Sequence, residues 1–152
     1  MKKLLTVVAV LFLAGSSAYA CKCKPVDYEV TKKKQLKQYD FIALVKIVSV
    51  DTLSGDPANP DNRGGRWQVQ VTKLIKGKKT TVVFEPMMLT SCQFYMKPGD
   101  EWILFGSKEK GKLSIHPCKH DLAYKRADEP QPANADAQKF LDRLTKLYKV
   151  RA

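Results

Sequence analysis

Cys21 and Cys23, one residue apart, stand directly after a stretch built for removal, and that position gives Cys21 a chemistry that its side chain alone would not have. Lys2 and Lys3, an apolar core from Leu4 to Ala14 and the small-residue ending Ala18-Tyr19-Ala20 have the order of a secretory signal, with cleavage expected after Ala20. The new terminus would be Cys21, whose free α-amine and carbonyl oxygen can chelate one metal ion. A catalytic zinc keeps one coordination position open for water or substrate. An amine and carbonyl inserted from another protein would displace the nucleophilic water and stop catalysis without any reaction. The amine, with a reference pKa near 8, must lose its proton to bind, which costs about 1 kcal/mol near neutral pH. Lipoprotein processing would acylate Cys21 instead; it prefers a large aliphatic residue three positions earlier, where this chain has Ala18, so the free terminus is the expectation.

The chelating pair is useful only if it is held still. Four cysteines in an exported chain, Cys21, Cys23, Cys92 and Cys118, read as two disulfides. A bridge between Cys21 and Cys23 would close a strained ring that constrains almost nothing, so each is expected to reach Cys92 or Cys118. Such long loops contribute on the order of 4 kcal/mol each on the chain-entropy model, and they would bring the terminus to a target already positioned. A four-cysteine zinc site is disfavoured because paired C-x-x-C knuckles are absent and the compartment oxidises thiols. His116 and His120 flank Cys118 but lose its thiolate if it is bridged, and a structural or surface role is expected for both. No paired-carboxylate or nucleophile-elbow pattern occurs, so the chain is not expected to be an enzyme.

The elements that must position these residues fit in one domain. Removing residues 1–20 leaves 132 of 152, enough for a single core. No later stretch approaches the roughly 20 apolar residues of a membrane helix. Of 27 Lys and Arg against 15 Asp and Glu, Lys2 and Lys3 leave with the leader, taking the formal charge from +12 to +10. The basic runs Lys32-Lys33-Lys34 and Lys76-Gly77-Lys78-Lys79 lack interleaved aromatics, which disfavours specific nucleic-acid binding. Solubility and attraction to an anionic polysaccharide or envelope surface fit better.

Strands are expected over Phe41–Val50, Trp67–Thr72, Thr80–Glu85, Glu101–Phe105 and Lys112–His116, from β-branched runs and alternation. Turn residues at Lys76-Gly77, Pro98-Gly99-Asp100 and Lys110-Gly111-Lys112 favour antiparallel links. The Gly- and Pro-rich stretch Asp51–Arg66 reads as a long exposed loop, and Tyr28–Tyr39 as a short helix or surface turn. After a linker over Ala127–Ala135, the residues Phe140, Leu141, Leu144, Leu147 and Tyr148 recur at helical spacing behind Asn134 or Asp136 as cap, so a C-terminal helix should cover the sheet. There is no internal repeat. The expected organisation is a signal peptide over 1–20, a domain over 21–125, and a linker and helix over 126–152.

Several segments, in order, resemble the N-terminal inhibitory domain of the tissue inhibitors of metalloproteinases, within the netrin-like group. The opening Cys21-Lys22-Cys23-Lys24-Pro25 resembles the family's C-x-C-x-P. The run from Trp67 to Gly77 resembles its second strand and turn, and Glu85 to Cys92 its cysteine-bearing connector. Glu101 to Gly106 and Gly111 to Cys118 resemble its last strands. The likeness covers about residues 21–124. It implies a mainly β, five-stranded antiparallel oligonucleotide/oligosaccharide-binding (OB-fold, netrin-like) barrel with flanking helices, and bridges Cys21–Cys92 and Cys23–Cys118. It further implies an inhibitory ridge made of Cys21, Lys22, Cys23, Lys24 and Pro25 beside Leu89, Thr90, Ser91 and Cys92. On that reading the chain is a secreted or periplasmic monomer without cofactor of its own, and its partner is a zinc metalloendopeptidase that supplies the zinc. Residue 22 would enter the main specificity pocket, and Lys22 departs from the small or hydroxylated residue common in animal inhibitors. A family cysteine near Lys37, its later partner and the cysteine-rich C-terminal domain are missing together. The alternative is a non-inhibitory netrin-like adhesion module that binds polyanions or another protein.

Overall fold

The structure is a computed structural model, and the residues it describes are 33–53, 64–86, 96–116, 121–129 and 133–149. They form six strands and a helix: β1 (Phe41–Leu53), β2 (Gly64–Lys76), β3 (Val82–Pro86), β4 (Glu101–Glu109), β5 (Lys112–Ile115), β6 (Leu122–Lys125) and α1 (Ala135–Tyr148). β1 pairs with β2 from Ile42 to Leu53, with three register shifts, and, over Phe41–Lys46, also with β4. The order β1-β2-β3-β5-β4 thus returns to β1 and closes a five-stranded barrel, consistent with the OB-fold that the family resemblance implies. Every ladder is antiparallel except one, where β3 and β5 run parallel and meet at Phe84 and Ser114 alone. The sixth strand, unforeseen in the sequence, shares one edge of β4 with β5: β5 takes Gly106–Glu109, and β6 takes Glu101–Ile103.

Strand periodicity sorts the core into two layers. Phe41, Ala43, Val45 and Ile47 of β1 point into the barrel with Trp67, Val69, Val83, Trp102, Leu104 and Ile115. Ile42 and Leu44, and Ile103 and Phe105 of β4, face outward and are just as buried, because α1 lies against them with Ala137, Phe140, Leu141 and Leu144. The unbroken apolar runs Phe41–Val45 and Trp102–Phe105 follow from this cover on both faces. Phe105 is the centre of the outer layer: its ring stacks on Phe140 at 5.9 Å between centroids and meets Tyr39 edge-on at 5.1 Å.

Local chemistry sets the ends of these elements. Asn134 Oδ1 accepts from the backbone N–H groups of Asp136 and Ala137, which selects Asn134 as the N-cap of α1. The Asn134 N–H in turn donates to Tyr124 O at 2.8 Å, tying the helix start to β6. Over residues 33–39 the chain makes hydrogen bonds three residues apart, which is turn rather than helix, and it buries Leu36 and Tyr39. Lys76 Nζ donates to the carbonyls of Leu36, Lys37 and Tyr39, so this lysine of the basic run is occupied in holding that turn. Gly77 has φ +94°, and a Cβ there would lie 2.3 Å from the Asp40 carbonyl oxygen; no other residue fits. The expected loop Asp51–Arg66 is shorter than its glycines suggest. Asp51 pairs with Arg66, Thr52 with Gly65 and Leu53 with Gly64. Gly65 is a strand residue whose missing side chain makes room for the Trp67 indole, 2.9 Å from where its Cβ would be.

Truncating the outer layer should therefore cost as much as truncating a conventional core. Phe140→Ala is expected to destabilise the protein by about 3–5 kcal/mol in urea denaturation, and a loss under 1 kcal/mol would mean that α1 is not part of the cooperative unit.

Candidate functional site

The residues expected to form the ridge, Cys21, Lys22, Cys23, Lys24, Pro25, Leu89, Thr90, Ser91 and Cys92, lie outside the described residues, as do Cys118, His120 and both expected disulfides. The structure does describe the framework from which the cysteine-bearing segments depart and to which they return. Because β3 and β5 are parallel neighbours, their C-terminal ends, Pro86 and Ile115, are at the same end of the barrel. Pro86 leads into the segment that carries Cys92, and Ile115 into the one that carries Cys118. The first segment rejoins the fold at Met96, whose side chain is buried in the barrel interior just ahead of β4. The β1–β2 hairpin opens at this end too, since Leu53 pairs with Gly64 and Gly64 with Pro86.

Each of these junctions is fixed by a carboxylate or an aromatic donor. Where β3 ends, the Trp67 indole N–H donates to buried Glu85 Oε2 at 3.3 Å, locking the last turn of the pleat against β2. Just beyond β5, His116 Nε2 lies 2.7 Å from Glu109 Oε1, a structural pairing across the β4–β5 hairpin. At the return after Cys118, Asp121 Oδ1 accepts the Phe105 N–H at 2.6 Å.

The return before β4 is the most heavily held. Asp100 is fully buried. Its Oδ2 accepts from Lys97 N–H at 3.0 Å and from the Arg126 guanidinium at 3.0 Å, with the Trp102 indole N–H at 3.5 Å. Its Oδ1 accepts from Ala127 N–H at 2.9 Å. Burial by itself would raise the pKa of this carboxyl, but the hydrogen bonds from Ala127, Lys97, Arg126 and Trp102 outweigh it and hold the group below its ordinary value. Arg126 also lies over the Trp102 ring, 4.8 Å from its centroid, so this one residue joins the end of β6 both to β4 and, through Asp100, to the turn before it. The turn is completed by backbone bonds between Ile47 and both Gly99 and Asp100. Sequence reading marked Pro98-Gly99-Asp100 only as a turn. Asp100 could have been singled out by one sign, an acidic residue directly beside an apolar strand, but its partners Arg126 and Ala127 are too distant in sequence to be paired by inspection.

Asp100 should be worth more than a surface acid, and in a pH-dependent way. A carboxyl whose folded pKa is below its unfolded value, near 3.9, contributes stability that is present above that pH and is lost as pH falls through the folded pKa. Asp100→Asn is expected to cost about 2–3 kcal/mol at pH 7, with the difference from wild type shrinking below about pH 4. Urea titrations of both proteins across that range read the effect, and a difference that stays constant with pH would remove the charge from the explanation. No known family model matches this chain, and no curated protein is significantly similar to it.

Proposed function

We propose that the chain is a secreted inhibitor of a zinc metalloendopeptidase, acting through the free α-amine and carbonyl oxygen of Cys21 on the zinc of the target. The observation that carries this reading is the Cys21-Lys22-Cys23-Lys24-Pro25 run behind a stretch with the residue order of an export signal. Support comes from a barrel in which the segments that carry Cys92 and Cys118 leave from neighbouring strand ends. Bridges Cys21–Cys92 and Cys23–Cys118 would then bind the terminus to two adjacent points of one rigid end, and little ordering would remain to be done on binding. In this mechanism the amine and carbonyl take the coordination position that water needs, so the target loses its nucleophile. Leu89, Thr90 and Ser91 would extend the contact surface beside Cys21. Lys22 would enter the specificity pocket, and because burying an ammonium without a partner is costly, the fitting target has an acidic group there.

The test is inhibition of a metalloendopeptidase panel by the cleaved, oxidised protein. Inhibition of at least one member is expected, rising about tenfold per pH unit toward pH 8 as the amine deprotonates and levelling off above it. One alanine added before Cys21 should weaken it at least about a thousandfold while leaving thermal stability unchanged. A panel wholly unaffected by the correctly processed protein would defeat the proposal.

A further inference from the structure

The opposite end of the barrel has a different chemistry. There the parallel contact between β3 and β5 is limited to Phe84 and Ser114, so the strands are unpaired toward their starts and a groove of about 540 Å³ follows the seam. Its floor is apolar, formed by Phe84, Val82 and Leu113 with Phe41 beneath. Its rim carries Lys78 and Lys79 from the β2–β3 connection, Lys108 from the end of β4 and Lys112 from the start of β5. Asp40, the acid of the rim, has its Oδ2 engaged by the Lys108 N–H at 2.7 Å. Lys112 Nζ sits 5.3 Å from the centroid of the Phe84 ring. The positions of these lysines are set by tight geometry: Lys110 and Gly111 both have positive φ, 49° and 78°, which makes the β4–β5 link a two-residue primed turn, and Gly77 fixes the other wall.

From this geometry we infer that the groove is a binding site for an anionic polysaccharide, a chain of sugars bearing uronate or sulfate groups. Lysines on both walls meet the charges, and the half-buried Phe84 and Leu113 offer an apolar platform to a sugar face between them. Single-stranded nucleic acid has the same charge but gains its affinity from successive stacked bases, and this groove offers one partly buried ring, Phe84, rather than a series of them. A membrane surface fits less well, because it needs apolar side chains that project, whereas these form a floor. The groove is at the far end of the barrel from Pro86 and Ile115; the inference goes beyond the inhibitory reading and does not depend on it.

Calorimetry of the full mature protein with hexagalacturonate at low ionic strength tests the assignment, with neutral maltohexaose and hexathymidylate as comparison ligands. The reversal Lys79→Glu/Lys112→Glu should weaken hexagalacturonate binding at least about tenfold, whereas the equal reversal Lys139→Glu/Lys146→Glu on exposed positions of α1 should weaken it less than about threefold. Phe84→Leu, which leaves the charge unchanged, should cost a further loss of about fivefold. Should Lys79→Glu/Lys112→Glu lower the thermal midpoint, the milder Lys79→Ser/Lys108→Ser pair is used in its place. Equal losses from the groove and helix reversals, absence of hexagalacturonate binding, or tighter binding of hexathymidylate would each overturn the assignment. Metalloprotease inhibition is measured on the same variants and should be unchanged, so that failure of the groove and failure of the inhibitory reading are seen separately.

Discussion

The structure depends on β1 and β4 being buried on both faces. A barrel of five strands has a narrow interior, and here that interior is filled by one parity of each strand, Phe41, Ala43, Val45 and Ile47 facing Trp102 and Leu104. The other parity would be left as an exposed stripe of Ile42, Leu44, Ile103 and Phe105 if α1 did not cover it. The helix is therefore required by the strands, and the strands by the helix: neither layer of apolar surface is satisfied without both. This also explains why β4 can pair with three strands. Its inner and outer faces are fixed by packing, so its edges can be divided among β1, β5 and β6, with a single register shift, between Glu101 and Trp102 against β6.

That coupling determines what was legible in the sequence. The runs at Phe41 and Glu101 read as strands, and the spacing of Phe140, Leu141 and Leu144 read as a helix, because each pattern is local. The barrel came from a resemblance, and the closed strand order agrees with it. What could not be read is what depends on contacts far apart in sequence. Gly64 and Gly65 look like turn residues, and only the Trp67 indole over Gly65 shows why a strand needs the space. Leu122–Lys125 has too few residues to display alternation, and becomes a strand because β4 has a free edge beyond the reach of β5. The buried Asp100 was invisible as a hub, since the donors that stabilise it come from Lys97, Trp102, Arg126 and Ala127. The basic runs mixed two roles: Lys76 holds a turn and Lys33 lies over the Tyr148 ring, whereas Lys78 and Lys79 border the groove.

The two ends of the barrel are held in contrasting ways, and the contrast bears on what each could do. At the end that holds Pro86, Met96 and Ile115, Glu85 and Asp100 accept from protein donors through the Trp67 indole and the Lys97, Arg126 and Ala127 groups, and Asp121 accepts the Phe105 N–H through Oδ1. Carboxylates used in this way stiffen the junctions without offering charge to solvent. Hydrogen bonds to charged groups contribute about 1.5–3 kcal/mol each when desolvated, so junctions held by several of them open rarely on their own. A terminus bridged to this end would inherit that stiffness, which is what the proposed zinc ligand pair requires. At the other end Asp40 of the groove rim accepts a hydrogen bond from the Lys108 backbone N–H, and Lys78, Lys79, Lys108 and Lys112 are exposed.

Stiffness and charge also divide the work of recognition under the proposed functions. A metal ligand pair gains from rigid placement because two short coordinate bonds tolerate little displacement, and its contribution is insensitive to salt. The lysine groove gains little from rigidity: ammonium groups on flexible stems adapt to a polymer whose charges repeat, and their attraction fades as salt screens it over about 10 Å at 0.1 M. If both proposals hold, a protein retained on an anionic matrix through the groove would keep the end at Pro86 and Ile115 accessible to a protease. The short β3–β5 contact is what permits the arrangement, since a fully zipped seam would keep the neighbouring strand ends of the first site but close the groove of the second.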